Sequence, residues 1–297
     1  MVETLKEAYR KLRDRHPFIG TLRGNRFFFG NIRSMKINFR FLCYHQDCRR
    51  RFAAVGKKWR KQALKNAHRF KKQGYVILNP DYSPELIAAI RRTCEEMTRR
   101  NQTTEADGEP WFVNFHNSMT NIPEIARLMN DEVTETTEAC FGSHFKIYSS
   151  EVYRLVPTNE EATISGLWHT DNYPPGIYKI MIYLTECDRT TGALRLHPKP
   201  STRKMLRRGF FDRYKASRFN QALEQGGIPI EGPAGTVLLW NSNMIHRADA
   251  PKTSYRDVVA FKLVPSMEPW QEHLKRVGDR VNYETRNRQI PADPAED

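Results

Sequence analysis

The sequence predicts a mainly β fold, a sandwich or jelly roll with flanking helices. Three observations carry that expectation. From residue 144 onward, extended apolar stretches recur: HFKIYSSEVYRLV, ATISGLWHTD, GIYKIMIYLTECD, GALRLHP, GIPIEG, GTVLLWNSNMIHR and RDVVAFKLVP. Gly, Pro and Asn separate them, the punctuation of many short strands. Ahead of them lie helical patterns with recognisable start and stop signals.

Taken in order, the chain first divides by charge. It has 297 residues and a net charge of +14. Residues 1–72 hold 21 Lys and Arg against 4 Asp and Glu, a net of +17. Residues 73–297 hold 27 against 30, a net of −3. The first 72 residues therefore read as a basic extension on a mildly acidic domain. Within it, 49–72 predicts one amphipathic helix, with Phe52, Val55, Trp59, Ala63, Ala67 and Phe70 at spacings of three and four. Such a helix can dock on its own domain with a solvated basic face. It can instead rest on an anionic membrane surface, or meet nucleic-acid phosphates, the least favoured of the three.

Next comes GYVIL, a short buried strand over 75–78, then a helix capped at Ser83 with Pro84 at its first position. WFVNFHNSMT looks extended, and IPEIARLMNDEVTETTEACFG predicts a second helix ending at Gly142. A basic, helical insertion at about 199–225 interrupts the strands that follow. The main domain is expected over 73–266, and 267–297 as a C-terminal helix and disordered tail.

No apolar run reaches the roughly 20 residues of a membrane span. The start lacks a signal-peptide core, and five scattered cysteines suit reduced thiols. A cytoplasmic location, with membrane contact at most peripheral, is the expectation. CYHQDC at 43–48 offers Cys43, His45 and Cys48, but no second ligand pair follows, so isolated thiols are favoured over zinc.

The chemistry concentrates in GLWHTDNYPPG. In an extended chain residues i and i+2 share a side, so His169 and Asp171 aim together while Thr170 aims away. Two histidines and one carboxylate on one face of a metal, with three positions open, suit a non-haem Fe(II) oxygenase. His246, 75 residues after Asp171, closes an apolar strand and offers a third ligand. Arg256 follows ten residues later and could clamp a dicarboxylate through its planar fork.

That ordered set, with QGYVILNPDYSPELIAAIRR, LTECDRTTGALRLHPKPST and GPAGTVLLWNSNMIHRADAPKTSYRDVVAFKL, resembles the phytanoyl-CoA dioxygenase-like group of Fe(II)/2-oxoglutarate-dependent oxygenases over about 73–266. The HPKPST corner and the basic insertion behind it depart from the group's pattern. The resemblance implies a double-stranded β-helix, or cupin-like jelly roll, with iron at its open end. It implies Fe(II), 2-oxoglutarate and O2 as cofactor and cosubstrates. His169, Asp171 and His246 would be metal ligands and Arg256 the cosubstrate anchor. Because Asp171 is present, hydroxylation of a C–H is expected rather than halogenation, on a small or medium-sized metabolite, lipid or glycan, with release of succinate and CO2. Tyr153, Met181 and Tyr183, with Lys179, are candidates for the cosubstrate pocket. Trp168, Asn172, Tyr173, Asn114 and His116 are candidates to meet substrate. The contrasting expectation is an inactive jelly-roll scaffold whose basic extension binds membrane or nucleic acid.

Overall fold

Two antiparallel sheets organise the computed structural model, which describes residues 32–106, 109–115, 118–159, 165–171, 173–210 and 218–277. The larger sheet runs β1 (Tyr75–Leu78), β8 (Val237–Asn241), β5 (Tyr178–Tyr183), β10 (Arg256–Ser266), β4 (His144–Leu155), β3 (Glu109–Phe115) and β2 (Thr103–Ala106). The smaller sheet runs β7 (Ile228–Ile230), β6 (Leu194–Leu196) and β9 (His246–Ala248). This is the jelly roll expected from the strand pattern.

Alternation along the central strands builds two cores. Ile180 and Ile182 on β5, Leu239 on β8, and Val259, Phe261 and Leu263 on β10 form the outer face of the larger sheet. Helices α3 (Pro84–Arg99) and α5 (Asp131–Phe141) cover it through Ile87, Ile90, Met97, Val133 and Phe141. On the inner face, Met181, Tyr183, Leu238, Trp240 and Val258 meet Leu194, Leu196 and Ile230 of the smaller sheet.

Local signals account for the helix ends. The Ser83 hydroxyl accepts from the Leu86 N–H at 3.3 Å, with Pro84 opening α3. Asn130 caps α5 by accepting from the Val133 N–H at 3.1 Å. Gly142 closes it in the left-handed region at φ 69°. The single helix expected over 123–141 is thereby two elements, a 3-10 turn (Pro123–Leu128) and α5, because Asn130 starts a new helix. WFVNFHNSMT is extended only to Phe115, and Ser118–Asn121 form a short helix, α4.

The helix expected over 49–72 is also two: α1 (Ile32–Val55) and α2 (Lys61–Gln73). Gly56, at φ 68°, ends the first. The apolar spacing survives the break because Trp59 folds back to stack on Phe52, ring centroids 5.2 Å apart. Val55, in the same sequence stripe, is left 69% exposed. Phe41, Phe52, Ala63 and Phe70 are buried. Lys57 and Arg60 pair with Glu138 and Glu135 of α5. The described part of the basic segment is thus docked on the sheet domain, while residues 1–31 lie outside the described residues. No described helix is long and apolar enough to cross a membrane.

The insertion contributes α6 (Lys199–Arg207) and α7 (Asn220–Gly226), with 211–217 outside the described residues. The last described helix is α8 (Trp270–Val277); the tail 278–297 lies outside. The stretch ATISGLWHTD, read as extended, contributes one isolated bridge between His169 and His246, with 161–164 outside the described residues. Cys43, His45 and Cys48 all sit on α1, where Cys43 is exposed, Cys48 is buried and His45 bonds the Phe141 carbonyl at 2.9 Å.

Candidate active site

That bridge is what assembles the site. The His169 N–H donates to the His246 carbonyl at 2.9 Å, and the His246 N–H returns the bond at 2.8 Å. The reciprocal pair sets the two imidazoles side by side, with ring centroids 4.3 Å apart. Asp171 is tied to the same turn, its N–H donating to the Ser242 carbonyl at 3.3 Å. A chain segment with almost no strand pairing of its own is therefore held in register by the β8–β9 turn.

Each imidazole is oriented from its own chain. His169 Nδ1 lies 2.7 Å from the Leu167 carbonyl, and His246 Nδ1 lies 2.9 Å from the Met244 carbonyl. A carbonyl only accepts, so both Nδ1 atoms carry the proton and each Nε2 presents a lone pair. The two Nε2 atoms stand 4.0 and 3.9 Å from Asp171 Oδ1. All three ligand atoms lie within 4.8 Å of one another, the group that could hold a metal among the described residues.

Asp171 is fixed through its other oxygen. Lys179, on the inner face of β5, places Nζ 2.8 Å from Oδ2. Burial alone would raise the Asp171 pKa, but Lys179 and the two imidazoles outweigh it and hold the carboxyl well below the usual range. Asp171 is therefore an anion at any physiological pH.

The triad opens into a cavity of about 600 Å³. Tyr153, Met181, Lys179, Tyr173 and Asn114 line it, as do Glu151, Ser149, Trp240 and Lys262. Burial pushes the Tyr153 hydroxyl up to about 12, so it stays protonated. Asn243 grips Tyr173 by its backbone, accepting from its N–H at 2.9 Å and donating to its carbonyl at 2.8 Å. The Lys262 ammonium lies 4.9 Å from the Tyr173 ring centre. Lys262 was missed from sequence, although alternation from Arg256 along RDVVAFKLV puts it on the same face.

Arg256 opens β10 and is completely buried. Its Nη1 donates to the Gly192 carbonyl and lies 3.8 Å from Cys187 Sγ. Among the described residues its Nε and Nη2 are buried without a hydrogen-bond partner. Two orphaned donors of a buried guanidinium are costly unless something else satisfies them. Tyr153 and Tyr183 flank that guanidinium, and Tyr183 spends its hydroxyl on the Ile230 carbonyl at 2.7 Å.

The remaining candidates separate. Trp168 faces away from the cavity: its Nε1 donates to Glu224 at 2.9 Å and its ring packs on His197 in the cluster formed by the insertion. His197 bonds the Leu223 carbonyl and Ser201, as a structural histidine would. Asn172 and His116 lie outside the described residues.

Residues 70–256 match the family model described as phytanoyl-CoA dioxygenase (PhyH). No curated protein sequence matches the chain. Among solved structures, the fold is similar to the non-heme alpha ketoglutarate dependent carbocyclase SnoK from nogalamycin biosynthesis. The TM-score is 0.54 at 17% identity, over 80% of this chain and 94% of that one. EctD from S. alaskensis with 2-oxoglutarate and 5-hydroxyectoine gives 0.53 at 17% identity, over 70% and 79%. The epimerase SnoN with Fe3+, alpha ketoglutarate and nogalamycin RO gives 0.53 at 14% identity, over 69% and 84%. At such identities the likeness is one of fold.

Proposed function

Since the chain belongs to the phytanoyl-CoA dioxygenase family, we propose that it is an Fe(II)- and 2-oxoglutarate-dependent oxygenase that hydroxylates a C–H of a small or medium-sized organic substrate. The observation that carries the reading is the convergence of His169, Asp171 and His246 within 4.8 Å. Two neutral imidazoles and one carboxylate form the facial donor set that suits ferrous iron. When bound, iron and 2-oxoglutarate activate dioxygen for C–H oxidation, with succinate and CO2 as co-products.

The chain's own groups prepare the site. The carbonyls of Leu167 and Met244 fix the tautomer of each histidine, so neither ring has to turn or lose a proton before ligation. Lys179 neutralises one oxygen of Asp171 and leaves the other directed at the imidazoles. Arg256 supplies a buried cation with two unsatisfied donors for the far carboxylate of the cosubstrate. Tyr153, held protonated, adds a hydroxyl beside it. Met181, Trp240 and Tyr173 give the cavity apolar walls, and Lys262, Glu151 and Asn114 give it polar handles for substrate. The substrate fits a space of about 600 Å³.

Anaerobic titration of the protein with Fe(II) and then 2-oxoglutarate tests the reading. A weak visible metal-to-cosubstrate charge-transfer band is expected, and wild-type protein without it would refute the assignment. Succinate release against a metabolite extract, with mass spectrometry for a product heavier by one oxygen, then identifies the substrate.

A further inference from the structure

A second cavity, of about 720 Å³, lies beyond the larger sheet from the metal-ligand triad and shares no lining residue with the first. Tyr178 belongs to its floor and, by alternation along β5, faces away from Lys179 and Met181. Phe70 of α2 and Phe141 of α5 complete an apolar base. Arg49, His68, Lys71, Lys199 and Arg203 surround it, and none of the described residues lining it is acidic.

None of Arg49, Lys71, Lys199 and Arg203 is within ion-pair distance of a carboxylate among the described residues, although other surface arginines of this chain are paired. Lys199 donates instead to the Lys71 carbonyl at 2.9 Å, and Arg49 Nε to the Phe141 carbonyl at 2.8 Å. The arrangement holds Lys199 beside Lys71 and Arg203, and burial together with those two charges lowers its pKa. Gathering like charges is unfavourable unless an anion completes the set. The backbone is shaped for the approach. Gly74 closes α2 at φ 85°, and a Cβ there would lie 2.4 Å from Met244 Sδ and 3.0 Å from Lys199 Cβ. Only glycine lets α6 and the β8–β9 turn close on the end of α2.

From these features we infer that this cavity is a binding site for a small organic phosphate, its phosphate held by Lys71, Lys199 and Arg203 and its apolar body on Phe70, Phe141 and Tyr178. The size lies within the range of small-molecule pockets. The inference is independent of the metal site.

Calorimetric titration of the full chain with pyrophosphate and with adenosine 5′-monophosphate tests it. A parallel arm uses sedimentation with phosphatidylcholine vesicles with and without phosphatidic acid, which separates a lipid headgroup from a soluble phosphate. Saturable binding in either arm, weakened about tenfold or more by Arg203→Met and Lys199→Met, is expected. Arg92→Met, an exposed basic residue on α3, should leave it unchanged. Arg203 is exposed, so that variant should fold normally. No binding in either arm, or equal loss in Arg92→Met, would overturn the proposal.

Discussion

Replacing Arg256 by methionine separates a cosubstrate anchor from a structural cation. The guanidinium is completely buried, one nitrogen is satisfied by the Gly192 carbonyl, and Nε and Nη2 have no partner among the described residues. A charge-assisted hydrogen bond contributes about 1.5–3 kcal/mol. Two of them to a carboxylate amount to about 3–6 kcal/mol, or roughly 10²- to 10⁴-fold in Kd. Arg256→Met should therefore weaken 2-oxoglutarate by that factor, read from the charge-transfer titration. Fe(II) affinity should hold, because no member of the triad lies on β10. Stability should respond in the opposite sense. Exchanging an incompletely satisfied buried charge for an apolar side chain of similar length is often neutral or stabilising. The variant should therefore match or exceed wild type in denaturant midpoint when both lack cosubstrate. An unchanged Kd together with a large fall in that midpoint would show that Arg256 serves the fold, and the anchoring argument would fail.

Gly192→Ala should act on the same anchor from behind. At φ 86°, its Cβ would meet the Asp249 carbonyl oxygen at 2.5 Å, so a loss of about 3 kcal/mol in stability and weaker 2-oxoglutarate binding are expected; wild-type values for both would refute this. Lys262 lies directly across from Lys179 in the β10–β5 register, with no carboxylate in ion-pair reach among the described residues. Lys262→Met should raise stability by about 0.5–1 kcal/mol, and a lower Tm would mean that Lys262 already has a counter-charge. His45 carries a pKa lowered to about 4 by burial and then by Arg49, against 6.5 in the unfolded chain. Between those values the unfolded state binds the extra proton, so the stability is present above pH 6.5 and is lost as pH falls toward 4, by about 3 kcal/mol at most. Denaturant unfolding at pH 7 and pH 5 should show that slope in wild type and a shallower one in His45→Gln.

What could be read from sequence follows the range over which each signal acts. Ser83, Pro84 and Gly142 act on their nearest neighbours, and their helix ends stand where expected. Period-two alternation also transfers well. It sets His169 and Asp171 on one side, and it turns Trp168 away from them toward the insertion. The break at Gly56 was hidden because the Phe52–Trp59 stack preserves the apolar stripe across a turn. The pairing of residues 165–171 was hidden for the opposite reason. That segment reads as a strand, yet its register comes from a few backbone bonds to residues 242, 246 and 248, a long-range choice with no local mark. Lys262 was within reach of the same counting that singled out Arg256.

The central strands show why this site can concentrate so much charge. On β10 the outward residues Val259, Phe261 and Leu263 are fully buried against helices, while Arg256 and Lys262 share the inward face with Val258 and Ala260. On β5, Ile180 and Ile182 anchor outward while Lys179 reaches Asp171. Each fully buried apolar side chain contributes about 1.5–3 kcal/mol, and the five outward anchors of the two strands together offset the desolvation of the cations on their inward faces. The strand geometry also rules out compromise, because a one-residue slip would move every charge into the oily core and every anchor into the cavity. The outer core thus fixes the register of the inner chemistry, and a conservative outward substitution such as Phe261→Leu would loosen the site without touching a single polar group in it.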